Sequence, residues 1–135
     1  MAAEVSMAMR QEFETVATAV NKRGCFDARQ VAELLAWQVD DIAKFLKRST
    51  SSVYRNADAI GTQDALGKLV GLYQELVKLL APPHPEALSG AVAARVWFKT
   101  SILALDGKSP KDKILAGDLE SVQRLVREYA SGLAF

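Results

Sequence analysis

Apolar residues recur along this chain at three- and four-residue intervals, the spacing that lines one face of an α-helix. Met9, Phe13, Val16 and Val20 predict an amphipathic helix over Ala3 to Lys22, closed by the basic pair Lys22-Arg23 and Gly24. Asp27 then suits an N-cap for a helix running to about Trp37, with Val31, Leu34 and Leu35 turned inward. From Val39 to Asn56 the pattern reads as a short helix, a tight turn and a second short helix, with Ile42, Ala43, Leu46 and Val53 inward. A longer stripe of Leu66, Leu69, Val70, Tyr73, Leu76, Val77 and Leu80 predicts a helix capped by Thr62. Prolines at 82, 83 and 85 stop it, because they cannot continue the hydrogen-bond ladder. They divide the chain into residues 1–81 and 82–135. Beyond them a helix is expected from about Pro85 to Phe98, carrying Leu88, Val92, Val96 and Trp97. A last one is expected from Leu119 to Ser131, with Leu119, Val122, Leu125, Val126 and Tyr129 on one face. Alternating patterns that would signal strands are almost absent, so the expected fold class is all-α.

The densest local signals lie between these last two helices. Gly107 can take positive φ and suits a sharp reversal. Ser109 is a good N-cap, with Pro110 at the first helical position and Asp112 in the first turn, where the helix dipole favours a negative charge. Gly117 fits the end of the short helix that results.

Composition narrows the function classes. Among 135 residues half are hydrophobic, enough for a core, and the formal net charge is +1. No overall basic excess advertises nucleic acid, so any such surface is local. A single cysteine, Cys25, excludes an internal disulfide and agrees with a reducing cytoplasm. No signal peptide is expected, and no apolar run approaches the roughly 20 residues of a membrane span. Catalysis has little to stand on. His84, the lone histidine, lies between prolines, and Cys25 has no partner at metal-ligand spacing. Gly107-Lys108-Ser109 lacks the leading glycine and buried strand of a phosphate loop. The expectation is no enzyme, no cofactor and no metal.

In order, Trp97-Phe98, the connector Ile102 to Leu105, Gly107-Lys108-Ser109-Pro110, Ile114-Leu115, Gly117 and Val122 to Val126 resemble the toxin-binding domain of the Xre/MbcA/ParS-type antitoxins. The resemblance covers roughly the last third of the chain. It implies an antitoxin of a type II pair that neutralises a RES-domain, NAD-consuming toxin and contributes none of that chemistry itself. It implies contact through Trp97, Gly107, Lys108, Ser109, Pro110 and the last helix with Arg124 and Arg127. It also implies a plug made by the apolar tail Leu133 and Phe135, which could instead tuck under the final helix. The segment from Val39 to Asn56 looks like the Xre-type helix-turn-helix of the same antitoxins, which implies operator DNA, autorepression and a homodimer. Lys47, Arg48, Thr50, Ser51, Ser52, Tyr54 and Arg55 would then face the DNA. Lys47 replaces the usual turn glycine, Arg48 the next inward apolar residue and Asn56 a late apolar one. Two readings stay open beside the antitoxin: a regulator without a toxin partner, and a helical adaptor whose motif has drifted into a scaffold.

Overall fold

The computed structural model of the chain describes residues 25–55, 60–80 and 89–132. The expected N-terminal helix, Gly24, Asn56, the proline run with His84, Leu88 and the tail from Leu133 to Phe135 lie outside the described residues. So does the side chain of Arg55. The described residues are all-α, as expected. Their helices are α1 (Ala28–Leu35), α2 (Val39–Leu46), α3 (Thr50–Arg55), α4 (Ile60–Leu80), α5 (Gly90–Phe98), α6 (Pro110–Leu115) and α7 (Leu119–Ser131), with a 3₁₀ turn at Leu103–Leu105. The chain divides into two compact units, Met1–Val70 and Gly71–Phe135. The sequence places its boundary at the prolines, whereas the units divide within α4.

In the first unit, Asp27 caps α1 by accepting from the amide of Arg29 at 2.9 Å. Val31, Leu34 and Leu35 are buried, as their spacing predicts. The helix then closes in a left-handed residue, Ala36, with the amide of Trp37 donating to the carbonyl of Ala32 and that of Ala36 to Glu33. This paired closure satisfies carbonyls that the helix end would otherwise leave open. α2 ends the same way at Lys47, φ 56°. Both residues pay for a conformation that glycine adopts freely. Ile42, Ala43 and Val53 are buried. The side-chain amide of Gln63 on α4 pairs with both backbone groups of Phe26, accepting from its N–H at 2.7 Å and donating to its carbonyl at 2.9 Å.

α4 begins at Ile60, two residues before the expected cap, and Thr62 is a buried first-turn residue instead. Leu66, Leu69, Val70, Tyr73, Leu76 and Val77 are buried as expected, joined by Leu72.

In the second unit, the expected register of α5 needs correction. Val92 and Val96 face outward, 38% and 58% exposed, while Gly90, Ala94 and Phe98 are buried. The reason is steric. A Cβ on Gly90 would run into the backbone carbonyl of Val77, so the end of α4 fits only against the small side of α5. α7 spans the residues its periodicity predicts, with Val122, Leu125 and Val126 buried.

Candidate functional site

The connector between α5 and α6 is the most organised surface of the second unit. α5 ends at Phe98 with its last carbonyls taken by Lys99 and Thr100, and the Thr100 hydroxyl donates to the carbonyl of Val96 at 2.7 Å. The indole of Trp97 is half-buried. It meets Phe98 edge-on at 5.5 Å and Tyr129 of α7 at 6.0 Å, so it ties α5 to the last helix. The chain next reverses over Ile102–Lys108. The amide of Ile102 donates to Lys108, and that of Gly107 donates to Ile102, closing an isolated antiparallel bridge. Asp106 and Gly107 supply the reversal at φ 60° and 77°. Leu105 is buried beneath it.

Ser109 and Pro110 follow, and both are buried. Ser109 Oγ accepts from the amide of Asp112 at 3.1 Å, and Pro110 opens α6. Their side chains are buried, whereas Gly107 and Lys108 are exposed. α6 closes on Gly117, φ 93°, with the amide of Asp118 returning to the carbonyl of Lys113 at 2.9 Å. Asp118 then caps α7. Its carboxylate accepts from the amide of Ser121 at 3.2 Å and its hydroxyl at 2.8 Å. These bonds to Ser121, aided by Lys113, hold the carboxyl below the ordinary value of 3.8. Lys113 spans two carboxylates, with its Nζ 3.5 Å from Asp118 and 3.7 Å from Asp106. Arg124 is exposed and 3.8 Å from Glu120, and Arg127 is exposed on the same helix.

In the first unit the helix-turn-helix candidates are distributed as follows. Lys47, Arg48 and Ser51 are exposed. Ser49 caps α3 by accepting from the amide of Ser52. The Thr50 hydroxyl is spent on Asp40 Oδ1 of α2 at 3.0 Å. The Tyr54 ring lies under the guanidinium of Arg29, 5.5 Å from its centroid. The carboxylate of Asp40 therefore stands beside the first turn of α3.

No family model matches the chain, and no curated protein or solved structure matches it either. Function is therefore read from the residues themselves.

Two features of this connector escape sequence reasoning. One is the bridging position of Lys113, which depends on where the turn brings Asp106. The other is Leu103, 91% exposed within the apolar connector. Among the described residues no three His, Cys, Asp or Glu side chains gather as a metal site, and no helix is long and apolar enough to cross a membrane.

Proposed function

We propose that this chain is a cytoplasmic antitoxin that binds a RES-domain, NAD-consuming toxin through its second unit. The observation that carries the reading is the ordered set from Trp97 through Gly107, Ser109-Pro110 and Gly117 to Val126, each residue serving a distinct step of one connected turn. On this reading Trp97 supports the surface, and Gly107, Lys108, Arg124 and Arg127 contribute to it. Ser109 and Pro110 act by holding the turn. Leu133 and Phe135 plug the toxin, and the antitoxin works as a homodimer or a larger complex with its partner. The test is co-expression with the product of the adjacent gene in cells whose NAD is monitored. A stable complex with restored growth and NAD supports the reading. An adjacent product that is harmless and does not co-purify overturns it.

Autorepression through operator DNA is the part of this reading that the first unit favours least. The Thr50–Asp40 bond and the Arg29–Tyr54 pair already engage two outward groups of α3, and Asp40 repels phosphate. These favour an adaptor-like role for α1 to α3. Binding of the native promoter fragment that weakens steeply with salt would restore the repressor reading.

A further inference from the structure

Asp106 and Gly107 form the one Asp-Gly pair in the sequence, which holds no Asn-Gly. That dipeptide carries a reaction of its own. The backbone nitrogen of the glycine can attack Cγ of the aspartate, because glycine has no side chain to hinder the approach. A nitrogen–carbon bond forms, a carbon–oxygen bond of the carboxyl breaks, and the hydroxyl leaves as water with the amide proton. Water then adds to either carbonyl of the five-membered imide and opens it. Opening at the main-chain carbonyl leaves the chain running through Cβ, one carbon longer, with a free carboxyl on Cα. The two steps need no other reactant, and the mass is unchanged at the end.

The folded turn keeps the reacting atoms apart. Water is at hand, because Gly107 is exposed and the Asp106 side chain is 88% exposed. The nucleophile is not, because the Gly107 amide donates to the carbonyl of Ile102 at 3.0 Å. Asp106 lies at φ 60° and ψ 32°, and this ψ turns the glycine nitrogen away from the aspartate Cβ across the Cα–C bond. Rotation into line would disturb a frame held on both sides. The amide of Asp106 donates to Leu103, that of Lys108 to Leu105, and that of Ile102 to Lys108. Lys113, which Asp106 shares with Asp118, stands 3.7 Å from the carboxylate. Reaction therefore requires the turn to open, and the free energy of that local opening sets its rate. The product also fits the turn badly. The Gly107 amide and the Lys108 carbonyl are both bonded to Ile102, and an extra main-chain carbon before them moves both out of register.

We propose that Asp106-Gly107 is a guarded modification site: the folded turn withholds imide formation, and a chain that opens there converts to isoaspartate and cannot restore the turn. This holds whichever partner the second unit meets. The test ages the full-length chain at neutral pH, once in native buffer and once unfolded in guanidinium chloride. Isoaspartate is then located by peptide mapping with electron-transfer fragmentation. Conversion at Asp106 should be at least about tenfold faster in the unfolded chain. Asp106→Asn reacts by the same attack, with ammonia leaving in place of water. Its deamidation should show protection of the same order, because the guard lies in the backbone. Wild-type chain aged while unfolded, returned to native buffer and separated from unconverted chain, should melt at a lower temperature than fresh chain. Equal rates in native buffer and denaturant overturn the guard. An unfolded chain that forms no isoaspartate at residue 106 overturns the site. An isoaspartyl chain that melts with the fresh one overturns the loss of the turn.

Discussion

At the scale of single residues, the backbone carries its strain at Ala36, Lys47 and Asp106, the non-glycine residues with positive φ among those described. Lys47 is the instructive one. A glycine is the comfortable occupant of such a closure, and lysine there costs on the order of 1 kcal/mol. The turn nevertheless forms, because the amides of Lys47 and Arg48 satisfy the carbonyls of Lys44 and Ala43. Lys47→Gly should therefore raise stability by about 1 kcal/mol, read as a higher urea midpoint at unchanged slope. Asp118 sets a pH dependence. Its carboxyl is lowered by Ser121, so its contribution is complete above the ordinary value of 3.8 and is lost as pH falls through the lowered one. Asp118→Asn should flatten the acid limb of the stability curve below about pH 4 while leaving its shape near neutrality unchanged.

At the scale of elements, helix ends and helix contacts follow different rules. Ends are local. Asp27, Ser89, Ser109 and Asp118 each cap the helix that begins next to them. Ser109→Ala should cost about 1 kcal/mol, because a buried cap is lost with no water to replace it. Faces are relational. Val92 and Val96 are spaced for a core, yet α5 presents Gly90, Ala94 and Phe98 inward. Gly90→Val should destabilise by about 2 kcal/mol by forcing α4 and α5 apart, whereas Val96→Ser should stay within about 0.5 kcal/mol of wild type. Paired unfolding curves decide the register. A larger loss from Val96→Ser would restore the one the spacing suggests.

At the scale of the whole molecule, the two units carry different expectations. The second holds the turn, the exposed Leu103 and the bonds of Lys113. The first holds a basic turn beside an aspartate. On the antitoxin reading, neutralisation depends on more than the turn. A chain lacking Leu133 to Phe135 should still bind the adjacent gene's product but fail to restore NAD and growth. Full rescue by the truncated chain would remove the plug and leave binding to the turn and α7.

The sequence by itself determined the all-α class, the limits of α7 and the caps at Asp27 and Ser109. It also determined the positive φ at Gly107 and Gly117. These depend on spacing and on chemistry a few residues apart, where propensity, dipole and hydrogen bonding act directly. Tertiary structure alone decided which side of α5 is buried, that Ser109 and Pro110 lie beneath the surface, that Thr50 is bound to Asp40, and that Leu103 stands outside while Leu105 does not. Each of these turns on what lies across a contact distant in sequence or on how a turn is seated. An apolar pattern states how much surface must be hidden, and only the packed neighbours determine which residues hide it.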